Sequence, residues 1–199
     1  MKKIYLLLLS LLLSMNVFAQ ANDYTFSVSS GTYVPITGGA LITSSTNGTP
    51  SLDSYASGAL TIPSFTFAGI AYTSMKVTSN GQIYFDLGTT AAPTAMYTSL
   101  SSNTASNILL APFSADLNQI ATGVSEIRYE TIGNEIVVQW ANFRRYNHTE
   151  VFDFQARLNT VTGVIKYVYK GTSPYQTSTS YQPQVGIKSS TTSYHYLTV

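Results

Sequence analysis

The densest run of chemistry-bearing side chains is Arg144-Arg145-Tyr146-Asn147-His148, followed closely by Glu150 and Asp153. Two guanidiniums, a phenol and an imidazole together suit a glycan or an acidic side chain, through forked hydrogen bonds and cation–π contact. The plainer alternative is a solvated strand end in which Arg144 or Arg145 pairs with Glu150 or Asp153. Tyr175 and Tyr181 lie in a Ser/Thr/Tyr-rich stretch and, with Tyr194 and Tyr196, are candidates for an aromatic platform on which a sugar could rest. Ordinary sheet tyrosines are the competing reading. Asp116 follows Pro112-Phe113 and precedes Asn118. With Asp86 it could offer oxygen ligands to Ca²⁺, which prefers carboxylates and carbonyls. Its surroundings match no EF-hand or repeat-type calcium loop, and the economical reading has Asp116 accepting backbone hydrogen bonds in a turn. No other cofactor is expected.

Catalytic sets are scarce. The only histidines are His148 and His195, and neither carries a local signature. Glu150 and Asp153 are three residues apart, so on a strand they point to opposite faces and cannot flank one glycosidic bond. The Glu-x-Asp-x-x-Glu strand of laminarinase-like sandwiches is absent, as is a Gly-x-Ser-x-Gly elbow. A serine–histidine–aspartate set built from distant residues stays open. Zero cysteines remove a disulfide framework, a thiolate zinc site and a cysteine nucleophile. The expectation is therefore that the chain is not an enzyme, with a secreted hydrolase as the minor alternative. Asn47-Gly48-Thr49 and Asn147-His148-Thr149 match the N-glycosylation pattern and are read as chance.

The chain has 199 residues, enough for one large β domain with a buried core. Residues 1–19 read as a signal peptide: Lys2 and Lys3 precede a nearly unbroken apolar run over 4–13, and Val17-Phe18-Ala19 suits a cut after Ala19, with Ala21 the second choice. The run is too short to span a bilayer, and no later stretch could span after cleavage. The single domain then covers 20–199. Without the two leader lysines, eight Lys and Arg face nine Asp and Glu, so nothing steers the chain toward nucleic acid or an anionic membrane. Charged residues are only 10%, while about a quarter of the chain is Ser or Thr and there are 15 Tyr. That composition favours strands.

The elements that must position these side chains alternate in period two between Gly, Asn and Ser punctuation, the pattern of an all-β antiparallel sandwich. In the C-terminal half, strands over 126–131 and 135–143 flank the two-residue turn Gly133-Asn134, which pairs Tyr129 with Val138 and Ile127 with Trp140. That register turns Trp140 into the core. The strand over 151–158 puts Phe152, Phe154, Ala156 and Leu158 on one face and Asp153, Gln155 and Arg157 on the other. A four-residue loop over 160–163 then pairs Leu158 with Ile165, Ala156 with Tyr167 and Phe154 with Tyr169, and Gly163 supplies its left-handed residue. Residues 126–169 thus form a meander. Earlier strands are expected over 24–29, 64–68, 71–78, 82–86 and 107–112, the last ending at its proline, with Ser79-Asn80-Gly81 as a turn. Loops are expected over 44–57, 89–106 and 175–181, and late strands over 184–188 and 194–199. No helix of three turns and no internal repeat is expected.

Read in order, Leu109-Leu110-Ala111-Pro112-Phe113, Ala115-Asp116-Leu117, Ile127-Arg128-Tyr129, Val137-Val138-Gln139-Trp140, Phe154-Gln155-Ala156-Arg157-Leu158, Tyr167-Val168-Tyr169 and Val185-Gly186-Ile187 resemble the nidogen-like extracellular domain. The likeness is closer to secreted β-sandwich modules of Bacteroidetes, which open with a strand such as Tyr24-Thr25-Phe26 and carry Ser79-Asn80-Gly81 before an aromatic strand. It covers most of residues 23–190. The resemblance implies a jelly-roll-like or nidogen-like sandwich on exported, often cell-surface proteins, commonly followed by fibronectin type III repeats and a sorting domain for type IX secretion. It implies no catalytic set. Ser114 stands where an aromatic is usual, and Val199 falls within an apparent strand with no sorting domain after it. The expectation is either a fragment of a larger protein or export that stops at the periplasm or medium. The function expected is a non-catalytic interaction or structural module of the adhesion type, meeting an extracellular protein or glycan surface; the alternative is a carbohydrate-binding module.

Overall fold

A computed structural model describes residues 20–46, 52–85, 88, 90, 100, 101, 108–171 and 183–198. Twelve strands form two antiparallel sheets packed face to face. They are β1 (Ala40–Thr46), β2 (Leu60–Phe67), β3 (Ile70–Thr78), β4 (Gln82–Tyr84), β5 (Leu109–Ser114), β6 (Leu117–Gln119), β7 (Val124–Ile132), β8 (Glu135–Arg145), β9 (Val151–Asn159), β10 (Ile165–Tyr169), β11 (Gln184–Lys188) and β12 (Tyr194–Thr198). The first sheet runs β1-β7-β8-β9-β10, with β6 also pairing with β8. The second runs β12-β11-β5-β4-β3-β2. The only helical element among the described residues is a 3-10 turn at Ala21–Asp23.

The expected meander is present, with the register read from its apolar faces. Tyr129 opposes Val138 and Ile127 opposes Trp140. Leu158 opposes Ile165, Ala156 opposes Tyr167 and Phe154 opposes Tyr169. Gly163 takes a left-handed φ of 70° in the loop between β9 and β10. A one-residue slip would have turned every core side chain outward, which is why the faces decide the register.

Three expectations need correction. Residues 24–29 form no strand. The alternation there is real, since the Tyr24 ring packs on Phe67 and the Phe26 ring on His195, but it records side-chain burial without a ladder partner for the backbone. The polar run from 44 onward is not all loop, because β1 extends to residue 46 and pairs with β7 as a sheet edge, where Ser and Thr are tolerated. Finally, β5 continues through Pro112 to Ser114. Its pairing with β11 shifts register at this point, so the missing N–H of proline breaks no ladder bond. The end of the 82–86 strand beyond Phe85, most of the 89–106 loop, the 175–181 loop, the first sequon and the leader lie outside the described residues.

The two sheets are tied by hydrogen bonds from aromatic side chains as well as by apolar packing. Trp140 is fully buried, stacks on Phe154 at 4.9 Å, and donates its indole N–H to the Thr78 carbonyl of the opposite sheet at 2.8 Å. Tyr167 donates to the Gly186 carbonyl at 2.8 Å and Tyr169 to the Pro112 carbonyl at 2.6 Å. Both acceptors lie where the β5–β11 register shifts, so the phenols satisfy carbonyls beside a disrupted ladder. Burial pushes the ionisation of both phenols up; for Tyr167 the neighbouring Tyr169 adds to the effect.

Trp140→Phe keeps the ring stack but withdraws the indole donor from a buried carbonyl, so stability should fall by about 2–3 kcal/mol in urea unfolding. A loss near zero would show that the inter-sheet bond contributes little. The two phenols give a second prediction. Their folded-state ionisation lies above the ordinary value near 10, so their contribution is full below that pH and is lost as pH rises past it. Stability should drop steeply in the alkaline range, and Tyr167→Phe should flatten that slope; an unchanged slope would count against the assignment.

Candidate functional site

The expected cluster is assembled from the turn between β3 and β4. Ser79 and Asn80 are buried here, not displayed. The Thr78 carbonyl accepts the Gly81 N–H at 3.3 Å, and Gly81 has a φ of 70°. A Cβ at Gly81 would lie 2.2 Å from the Phe113 carbonyl oxygen, so only glycine fits. Asn80 then holds the corner between β5 and β6: its carbonyl accepts the Ala115 N–H at 3.4 Å, and its Oδ1 accepts the Leu117 N–H at 2.9 Å. Asp116 is fixed between these two residues. Its own carbonyl accepts the Tyr146 N–H at 2.8 Å. The short β6 pairs Leu117 with Arg145 and Asn118 with Arg144. One end of the sandwich therefore collects Asp116, Asn118, Arg144, Arg145, Tyr146 and His148.

Within that group the contacts are specific. Arg145 is buried on the core side of β8, with Nη2 3.2 Å from His148 Nε2. A guanidinium can only donate, so Nε2 is the acceptor and the proton of the neutral imidazole sits on Nδ1. That atom faces Glu150 Oε2 at 3.7 Å. The His148 N–H donates to the Arg145 carbonyl at 3.0 Å, closing a turn in which Asn147 adopts a φ of 59°. Arg144 points to the other face of the strand and donates its Nε to the Gln119 carbonyl at 2.9 Å, with Asn118 Oδ1 at 3.4 Å. Tyr146 is the exposed side chain of the group.

One of the two carboxylates expected beside the arginines is engaged elsewhere. Asp153 does not pair with either arginine. It accepts from Lys170 Nζ at 2.8 Å and from the Asn142 N–H at 2.7 Å, where Asn142 takes a positive φ at a break in the β8–β9 register. Asp116 is partly buried, and that burial, together with the charge of Asp53, raises its carboxyl above the usual range. Asp53 follows Leu52, whose N–H is held by Gln119 Oε1 at 2.8 Å. The neighbour of Asp116 is thus Asp53. Asp86, the expected second calcium ligand, lies outside the described residues, as do Tyr175 and Tyr181. Among the described residues no three His, Asp or Glu side chains come close enough to hold a metal ion.

Two polar features on the outer sheet faces went unread. Gln139 and Gln155, buried on β8 and β9, hold an extended segment across the first sheet. Gln139 accepts the Ile36 N–H at 2.8 Å and donates to its carbonyl at 3.0 Å, while Gln155 donates to the Val34 carbonyl at 2.7 Å. On the second sheet Lys76 and Lys188 are buried in one cross-strand row with Tyr84 and Leu109 between them, and Lys76 Nζ donates to the Thr90 carbonyl. The available signal was a polar residue inside an otherwise apolar strand, as in Val137-Val138-Gln139-Trp140. Tyr194 and Tyr196 share one face of β12, with ring centroids 6.1 Å apart.

Among the described residues no helix is long and apolar enough to cross a membrane. No curated protein and no solved structure matched the chain. The family model described as NIDO related matches residues 23–199, with the sandwich, the buried Ser-Asn-Gly turn and the β5–β6 corner all inside that span, and the chain belongs to the NIDO-related family.

Proposed function

We propose that the chain is an exported, non-catalytic interaction or structural module of the adhesion type, working outside the cell or at its surface. Membership of the NIDO-related family supports the extracellular setting. The observation that carries the rest is how the candidate catalytic groups are engaged. His148 sits between Arg145 and Glu150, Asp153 is taken by Lys170 and Asn142, and His195 lies edge-on to Phe26 at 4.6 Å. The contacts of His148 and Asp153 brace the strands and turn around the β8–β9 connection, and that of His195 ties the N-terminal segment to β12. Tyr146 and the exposed strand edges are what such a module offers to a partner. The carbohydrate-binding alternative draws on the adjacent Tyr194 and Tyr196 rings, which could carry a sugar face. Calcium at Asp116 stays a lesser proposal, supported by the nearby Asp53 charge.

Removal of the leader after Ala19 fits the packing better than removal after Ala21. Ala21 is fully buried, its N–H donates to Ser189 Oγ at 2.7 Å, and the Gln20 N–H reaches Asp23 Oδ2 at 2.6 Å. A cut after Ala21 would delete a core residue.

In the native host, mass spectrometry should find an exported species beginning at Gln20; a mature start at Asn22 would contradict the packing argument. A broad soluble-glycan panel should give no binding, and a saturable hit lost on Tyr196→Ala would transfer the function to the carbohydrate reading. Arg145→Ala should cost about 3 kcal/mol of stability by stripping a buried cation from its partners. Turnover of an ester, peptide or glycan that disappears in a folded His148→Ala variant would overturn the non-catalytic reading.

A further inference from the structure

We propose that Gln139 and Gln155 form a binding site for an extended peptide, and that residues 33–36 are its built-in occupant, which a partner segment of the same pattern can replace. The two glutamines stand opposite each other in the β8–β9 ladder and are almost completely buried. Their amides bond the seated segment much as a neighbouring strand would. Gln139 Oε1 accepts the Ile36 N–H at 2.8 Å, while its Nε2 donates to the Ile36 carbonyl at 3.0 Å. Gln155 Nε2 donates to the Val34 carbonyl at 2.7 Å and to Gln139 Oε1 at 2.8 Å. Arg157 Nη1 donates to Gln155 Oε1 at 3.1 Å. The last two bonds orient the pair without involving the segment.

The three bonds to residues 34 and 36 all reach main-chain atoms, so the site reads peptide spacing. These two residues are two apart, the repeat along one face of an extended chain. Pro35 between them has no N–H to leave unsatisfied, and it keeps Val34 extended. Side-chain selection falls on two positions. Ile36 is buried, although it lies outside the core cluster between the sheets. The Tyr33 phenol hydrogen-bonds Gln155. Val34 and Pro35 are exposed. The ligand class is therefore an extended protein segment with tyrosine, a free position, proline and a branched apolar residue in that order. The built-in occupant is joined to the sandwich by the exposed residues 27–32 on one side and by Gly38-Gly39 on the other, so its release requires neither sheet to unfold. This site deepens the interaction reading above and rests on it. Peptide seating is measured without reference to export or adhesion, so its failure would strike this site and leave that reading in place.

A tethered occupant has an effective concentration of millimolar order, so the site is tested with that occupant disabled. In the full chain, Ile36→Asp puts a carboxylate into the buried position and should release the segment while the sandwich stays folded. A synthetic peptide of residues 30–38 should then bind saturably, raise Tm, and return the side-chain amide resonances of Gln139 and Gln155 to their native positions. The same peptide carrying Ile36→Asp should not bind. Adding Gln139→Ala to the chain should weaken peptide binding at least about tenfold, since both bonds to Ile36 are lost. Should the Ile36→Asp chain misfold, hydrogen exchange in the native chain supplies the readout: the Ile36 amide should exchange at least about tenfold faster than those of Ile127 and Trp140. A folded Ile36→Asp chain that takes no peptide would overturn the proposal. So would binding indifferent to Gln139→Ala, or an Ile36 amide that exchanges only together with the core. A concentration-dependent dimer of the native chain that has exchanged residues 33–36 would make the occupant a second copy and overturn the assignment to a partner segment.

Discussion

The Thr78 carbonyl is the point on which the sandwich turns. It ends β3, accepts the N–H that closes the following turn, and also accepts the Trp140 indole from the opposite sheet. One buried oxygen therefore sets a sheet-to-sheet distance and a loop conformation together. Everything at the polar end is downstream. The turn presents Asn80, Asn80 holds Ala115 and Leu117, and the corner so formed starts β6, whose pairing with β8 brings Asn118 and Arg144 side by side. Tyr167 and Tyr169 repeat the device farther along, where the irregular β5–β11 ladder passes Gly186 and Pro112. Aromatic residues here supply both apolar area and the donors that a dry interface needs.

Neither sheet has a simple wet face. The first is crossed by the segment containing Val34 and Ile36, and the amides of Gln139 and Gln155 copy the bonds a neighbouring strand would make. Arg157 extends the network to Gln155 Oε1 and to Glu135. Burial alone would raise the Glu135 carboxyl; Arg157 and Lys166 outweigh it and hold it below the usual range. The second sheet buries Gln82, Tyr84, Ser114 and Gln184 together with its two lysines. Gln82 bridges Tyr84 and Ser114, and Gln184 receives the Leu100 N–H. Polar groups in such places are costly unless satisfied, and these amide side chains are satisfied.

How far the sequence could be read follows from this arrangement. The registers of the β7–β8 and β9–β10 hairpins were legible because each strand has an apolar face and a short turn, whereas the β8–β9 pairing, with its break between Trp140 and Phe143, was not. Trp140 could be placed in the core for the same reason, but its donor role could not, since Thr78 is 62 residues away. The 24–29 segment misled because Tyr24 and Phe26 alternate like a strand while packing as isolated anchors. β1 was missed for the converse reason: its Ser and Thr read as loop, although six of its seven residues pair with β7. At the candidate site the local cluster around Arg145 and His148 was legible from adjacency. Asp53 and Asn80 were not, because they arrive from distant parts of the chain and no short-range pattern announces them.

The segment held by Gln139 and Gln155 is attached in a way that has a mechanical consequence. A pull applied to the N-terminal end would meet Ala21 and its bond to Ser189 first, then Tyr24 and Phe26, and only afterwards the glutamine clamp. These attachments are in series along an extended chain, so they yield one after another, as in peeling, and do not share the force as a sheared ladder would. Each release lengthens the tether while both sheets stay folded. Pulled in that direction, this segment would lengthen before the Trp140–Thr78 link between the sheets carries load.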